Sequence, residues 1–181
     1  VGVAEVGYGH RFSETLQLNF SLGRHHSRVA TALGGRTTAN GTYVMPELMM
    51  TLPASLHATI SGYYGRGSLD IERGYLNAGW RERTSARPSV RGLGARLRLD
   101  WRDAVTWNQG GLTPYASLTR LDTRTDSYTE HGGGFPACWQ ARKDRATTAR
   151  LGVGIIHPAS PQVTLQGRLE GARRLGRAAA D

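Results

Sequence analysis

The chain has a single cysteine, Cys138, and a single lysine, Lys143, in 181 residues. One cysteine can form neither an internal disulfide nor a cysteine metal cluster. With lysine almost absent, the formal net charge of +9 is carried by arginine. The arginines are scattered from Arg11 to Arg177 and form no block longer than a pair such as Arg173-Arg174, so the clustered footprint of a nucleic-acid binder is missing. No stretch approaches 18 consecutive apolar residues, which excludes a transmembrane helix; any membrane crossing must be made by strands. No methionine or charged-then-apolar leader stands at Val1, so the N-terminus neither shows nor refutes export.

What the chain has in abundance is alternation of period two, the signature of strands whose neighbouring side chains face opposite ways. Leu16, Leu18, Phe20 and Leu22 oppose Gln17, Asn19, Ser21 and Gly23. Leu56, Ala58, Ile60, Gly62 and Tyr64 oppose His57, Thr59, Ser61, Tyr63 and Gly65. The contrast is sharpest where Leu93, Ala95, Leu97, Leu99 and Trp101 alternate with Gly94, Arg96, Arg98, Asp100 and Arg102. Pro114, Ala116 and Leu118 then oppose Tyr115, Ser117 and Thr119, and Leu151, Val153 and Ile155 oppose Arg150, Gly152 and Gly154. A last run sets Val163, Leu165 and Leu169 against Thr164, Gln166, Arg168 and Glu170. With weaker segments at 3–12 and 43–52, these make about eight strands of about ten residues, the length a tilted strand needs to cross a bilayer. Pro46 marks an irregularity in the third, because proline removes a ladder donor.

The connections alternate between two classes. Short ones fall at 13–15, 53–55, 108–111 and 158–162; long polar ones fall at 24–41, 66–88 and 122–145. Outer-membrane up-and-down barrels sort their loops this way, with tight turns on the periplasmic side. Alternation alone leaves the lipid face open, since a soluble barrel puts its leucines inside and a membrane barrel puts them outside around a polar lumen. The loop asymmetry, the aromatics Tyr8, Tyr64 and Trp101 near strand ends, and a polar face mixing glycine with arginine favour the membrane barrel.

Several stretches resemble the autotransporter β-domain. Leu112-Thr113-Pro114-Tyr115-Ala116-Ser117-Leu118, followed by Asp126-Ser127-Tyr128-Thr129-Glu130 and Gly132-Gly133-Gly134-Phe135, is similar to that family's proline-tyrosine-alanine strand and the tyrosine-x-glutamate-glycine loop after it. Tyr63-Tyr64-Gly65 is similar to its aromatic-glycine strand end, residues 2–28 to its early hairpin, and residues 147–154 to its leucine-glycine strand. Each motif is loose; their order and spacing carry the resemblance. It implies an all-β, up-and-down antiparallel transmembrane β-barrel, here a partial one of about eight strands out of about twelve. Two departures bear on this: the family's last strand ends in an aromatic residue, whereas this sequence ends Gly176-Arg177-Ala178-Ala179-Ala180-Asp181, and the family's pore-plugging helix has no counterpart. Residues 1–181 therefore read as one translocator domain, a fragment without plug helix and last strands.

The expected function is an outer-membrane translocator that anchors and helps export an N-terminal passenger in a Gram-negative bacterium. By the resemblance its partners are membrane lipid and lipopolysaccharide, the passenger, and the assembly machinery with periplasmic chaperones; no cofactor and no nucleic acid are expected. Arg96, Arg98, Asp100, Arg102, Arg150, Arg168 and Glu170 are the candidate lumen-facing set, able to hold a plug helix or transiting chain through charge-assisted hydrogen bonds. Leu18, Phe20, Leu22, Ile60, Leu97, Leu99, Ala116, Leu118, Val153 and Ile155 are the candidate lipid-facing set. His25-His26 offers no metal site, because neighbours on a strand face opposite ways and no further ligand lies at suitable spacing. Gly65-Arg66-Gly67-Ser68 lacks the closing glycine of a nucleophile elbow, and the glycines at 132–134 lack the strand-loop-helix setting of a phosphate cradle. The chain is thus expected not to be an enzyme, any activity lying in a passenger. The alternatives are a soluble lipocalin-like ligand-binding barrel and a stand-alone outer-membrane porin or adhesin.

Overall fold

The computed structural model describes residues 1–107, 110–160 and 162–176. The expected turn residues Asn108, Gln109 and Pro161, and the tail 177–181, lie outside the described residues. Eight strands make the main sheet: β1 (Gly2–Arg11), β2 (Leu16–Ala30), β3 (Arg36–Leu52), β4 (Leu56–Asn77), β6 (Ser89–Trp101), β8 (Gly110–Thr125), β11 (Arg142–Ser160) and β12 (Val163–Leu175). Each pairs antiparallel with the next in chain order, an up-and-down meander without crossovers. Short excursions complete it: β5 (Trp80–Ala86) folds back on the far end of β4, β7 (Val105–Trp107) pairs with β8, and β9 (Tyr128–Thr129) pairs with β10 (Cys138–Trp139). The sheet is open, with β1 and β12 as edges that do not pair with each other among the described residues.

Of the three polar stretches expected as long loops, 24–41 and 66–88 are largely strand and 122–145 is strand mainly at its two ends. β2 and β3 stay in register from Leu16↔Met50 to Ala30↔Arg36, turning only at 31–35. β4 runs for 22 residues and closes onto β5 through Ala78 and Gly79, both at positive φ, the geometry of a two-residue hairpin turn. Alternation fades beyond residue 23 of β2 and over residues 36–42 of β3, where both faces are mainly polar, while β4 keeps Leu69 and Ile71 against Asp70 and Glu72. The ladder hydrogen bonds persist without a hydrophobic period to announce them. His25 and His26, expected at a loop start, are therefore inside β2. Pro46 behaves as its chemistry requires: pairing between β3 and β4 is interrupted between Val44↔Tyr64 and Glu47↔Ser61, while the β2 side stays continuous through Phe20↔Pro46.

Register places every alternating set on a common face. Leu18, Leu48, Ile60, Leu97, Leu118 and Ala149 lie on one continuous cross-strand row. The next residue along each strand faces the other way, giving Asn19, Glu47, Ser61, Arg96, Thr119 and Thr148. Exposure follows: along β6 the apolar residues are exposed and the arginines between them half-buried. This inverts a soluble protein's pattern, and the fully buried positions are few, among them Ala58, Ser61, Tyr115 and Ser117.

Candidate functional site

The polar face converges on Tyr115. The rows Asp100↔Tyr115↔Gly152↔Glu170 and Arg98↔Ser117↔Arg150 bring four strands' charges side by side. Arg98 grips Asp100 through Nε at 2.7 and 3.0 Å, and its guanidinium carbon stands 4.0 Å from the centre of the Tyr115 ring. Arg168 stands 4.9 Å from the same ring and donates through Nε to the Tyr115 hydroxyl at 2.6 Å. That hydroxyl donates to Glu170, which also accepts from Arg168 and lies 3.3 Å from Arg150 Nε. Two guanidinium groups over one aromatic ring, each also held by a carboxylate, form a fixed network in which charge-assisted bonds and cation–π attraction act together.

The ring reaches this position because Gly152 lies opposite it; a side chain there would collide with the Tyr115 ring. Glycine, which weakens a strand, is tolerated where another group must approach the backbone. Gly152→Ala is expected to displace the ring, lengthen its bonds to Arg168 and Glu170, and lower stability by about 1–3 kcal/mol, the usual cost of overpacking. The midpoint of urea unfolding in lipid vesicles measures it.

Of the expected lumen set, Arg98, Asp100, Arg150, Arg168 and Glu170 are thus assembled into one network. Arg96 stands apart, half-buried beside a groove of about 430 Å³ that Ser61, Tyr63 and Thr119 also line, with no ion-pair partner among the described residues. Arg102 lies just past the end of β6, exposed, its amide donating to the Ser55 carbonyl. The expected lipid set shares the opposite face: Leu18, Phe20, Leu22, Ile60, Leu97, Leu99, Ala116, Leu118 and Ile155 are exposed and Val153 is half-exposed. The network's chemistry is a fixed field of mainly positive charge.

A second centre lies at the far end of the sheet. Glu130, 2% exposed, accepts from Arg73 Nε at 3.0 and 3.1 Å, Arg73 Nη2 at 2.6 Å, Thr84 Oγ1 at 2.9 Å, Trp139 Nε1 at 3.1 Å and the Ala137 amide at 3.2 Å. The Arg73 guanidinium, together with the neutral donors, holds its carboxyl down to about 2. Nearby Glu82 accepts from Tyr75, Asn77 and the Gly134 amide, and its pKa is lowered chiefly by that amide. The segment 126–141 is thereby folded onto the β4–β5 hairpin, with a backbone bridge between Ser85 and His131.

An eight-stranded meander with one polar and one apolar exposed face can now be set beside known proteins. The family model described as the autotransporter β-domain matches residues 1–180. The chain belongs to that family. Among solved structures, the translocator domain of the autotransporter NalP from Neisseria meningitidis is similar, with a TM-score of 0.78 at 18% identity over 97% of this chain and 61% of that one. At that identity the likeness is one of fold. The chain spans about three-fifths of the length of the NalP translocator chain. LpxR from Salmonella typhimurium overlaps at 10% identity with a TM-score of 0.29, over 94% of this chain and 86% of that chain. No curated protein matches the chain by sequence.

In this autotransporter β-domain the residues that carried the resemblance are structural centres. Tyr115, in the proline-tyrosine-alanine strand, is the hub of the polar network, and Glu130, in the loop motif, ties down the segment 126–141. In the sequence both stand only as motif residues, with nothing nearby to indicate their partners. Their main partners, Glu170, Arg168 and Arg73, are 53 to 57 positions away.

Proposed function

We propose that residues 1–181 form one unit of an outer-membrane translocator, anchoring an N-terminal passenger in a Gram-negative bacterium and helping it to the cell surface. The observation that carries this reading is the inverted exposure of the sheet, with leucines, isoleucine and phenylalanine bare on one face and arginines half-buried on the other. A contiguous bare apolar face needs a cover, and hydrocarbon is the cover that a barrel strand meets. On this reading Leu18, Phe20, Leu22, Ile60, Leu97, Leu99, Ala116, Leu118, Val153 and Ile155 face lipid. Arg96, Arg98, Asp100, Arg102, Arg150, Arg168 and Glu170 line the lumen and offer a plug helix or transiting segment fixed charge-assisted donors.

The open edges support a larger barrel. Within hydrocarbon each unpaired backbone group costs several kcal/mol, so β1 and β12 need further strands between them, about twelve in all. Assembly machinery and periplasmic chaperones would serve this step, and any catalysis would belong to the passenger. A soluble ligand-binding barrel would instead turn the leucines inward, opposite to the exposure along β6.

In cells making the full-length protein, external protease is expected to remove the passenger while the barrel stays protected in the outer-membrane fraction. A passenger shielded until the cells are lysed would overturn the export reading. The purified chain is also expected to be monodisperse only with detergent; monodispersity in plain buffer would overturn the membrane reading itself.

A further inference from the structure

Six strands carry an arginine on the apolar face at the same edge of the apolar band. On β2 the outward series Leu18, Phe20, Leu22 is followed by Arg24; on β4 Ile60, Gly62, Tyr64 is followed by Arg66. On β6 Leu97, Ala95, Leu93 lead to Arg91, and on β8 Pro114, Ala116, Leu118 lead to Arg120. β11 reaches Arg145 one outward position later, past Thr147, and β12 reaches Arg173 past Gly171. Arg24, Arg66 and Arg91 lie on one ladder row that Arg124 and Lys143 continue, whereas Arg120, Arg145 and Arg173 are stepped from it along their strands. They form a collar. At the short-turn end the outward positions are Leu52, Leu56, Trp101 and Leu112, and Arg11 and Arg102 fall on the polar face instead.

The collar is densest where β6, β8 and β11 meet, around a groove of about 300 Å³ bordered by Tyr64, Leu93, Arg91, Arg124, Lys143 and Arg145. Arg120 adds a further cation beside it. The carboxylates present hold these cations loosely: Asp122 lies 3.7 Å from Arg120 and 3.6 Å from Arg145, and Asp126 lies 3.9 Å from Arg91 and 3.6 Å from Arg124. None of these contacts is a hydrogen bond. Asp144 borders the groove too, but is paired with Arg142 at 2.9 Å. Farther from the band Arg36 is paired with Glu72 and Arg73 with Glu130. Five cations against two loosely engaged carboxylates, all exposed and directly above an apolar wall, leave a demand for anionic oxygen.

Resting on the membrane-spanning reading, we propose that the collar, and the groove of Arg91, Arg124, Lys143 and Arg145 above all, binds the phosphate groups of an outer-leaflet glycolipid, the lipid A part of lipopolysaccharide. Its acyl chains lie along Leu93, Leu97 and Leu118 while its phosphates meet guanidinium forks, whose planar donors match phosphate oxygens in pairs. The one-sided placement assigns the site to the leaflet on the long-hairpin side. It also accounts for arginine being placed at the edge of the band on strands that otherwise share little sequence.

The test uses the full-length protein in a neutral detergent, with binding of bisphosphorylated lipid A, its dephosphorylated form and phosphatidylglycerol read by native mass spectrometry. Bisphosphorylated lipid A is expected to bind at least about tenfold more tightly than the dephosphorylated form, and the combined R91Q, R124Q and R145Q protein to lose that advantage. Arg11→Gln, at the opposite rim, is expected to retain it. Equal binding of the phosphorylated and dephosphorylated forms by the wild type overturns the proposal, whatever the variants do. Equal binding of phosphatidylglycerol overturns the choice of lipid. Should the combined variant fail to fold, loss of the wild-type advantage at high salt supports the proposal and its persistence overturns it. A wild type that is monodisperse without detergent overturns the membrane reading rather than the anion preference.

Discussion

Leu97→Arg is expected to block accumulation of folded barrel, whereas Arg98→Leu, one residue along the same strand, is expected to leave most of it intact. Leu97 is 53% exposed and sits mid-band between Ile60 and Leu118 on neighbouring strands. A guanidinium facing hydrocarbon at mid-membrane costs about 2–4 kcal/mol, which is roughly thirtyfold to a thousandfold in the folding equilibrium. Arg98 faces the other way. Losing it frees Asp100 and removes one cation from the Tyr115 ring; with the pair's side chains 22% and 16% exposed, this costs about 1–3 kcal/mol, while Arg150, Arg168 and Glu170 keep their own contacts. Folded protein in outer-membrane fractions, measured by its altered gel mobility before heating, separates the two; equal losses would remove the assignment of faces.

Glu130→Ala is expected to release the 126–141 segment from the β4–β5 hairpin without unfolding the sheet. The substitution strands Arg73, Thr84 and the Trp139 indole together, and leaving such donors unpaired costs about 1–3 kcal/mol. Because the contacts join excursions rather than main-sheet strands, the loss appears as local opening. Protease sensitivity and amide exchange at 126–141 and in β5 should rise sharply while the urea midpoint of the sheet hardly moves. The same contact predicts an acid response. The Glu130 carboxyl is depressed from 4.5 to about 2, so its stabilisation is fully present above about pH 4.5 and is lost as the pH falls toward 2. The wild-type segment should therefore loosen in that window and the Glu130→Gln variant should show no such step. A wild-type segment as protected at pH 2 as at pH 7 would contradict the assignment.

The parts of the fold legible in sequence are those where a polar face meets an apolar one. Arg96 to Asp100 against Leu97 to Trp101 announces β6 and both its faces, because chemistry changes at every step. Pro46 announced its own gap. The outer halves of β2 and β3 were illegible for the converse reason: Arg24 to Arg28 and Arg36 to Thr42 carry mainly polar side chains on both faces, so the ladder leaves no period in the residues. The charged residues of the network could be named, since the alternation fixes their face. Its geometry could not. Tyr115 is seated by Gly152 and gripped by Arg168 and Glu170 through antiparallel register, and register between distant strands is set by the whole meander rather than by any one segment. Arg102 shows the limit of parity, sharing a side with Arg98 yet lying beyond the strand's end.

The continuous pairing of β2, β3 and β4 well past the apolar band has a consequence for whatever meets the molecule from outside. Stiff hairpins braced by neighbours present mosaics stitched from several strands, with Asp70 beside Arg87 and Thr38 beside Asp70. On the outer-membrane reading proposed above, a phage or an antibody would meet an architectural relief rather than a set of loose ribbons, and short peptides copied from these segments would be poor mimics of it.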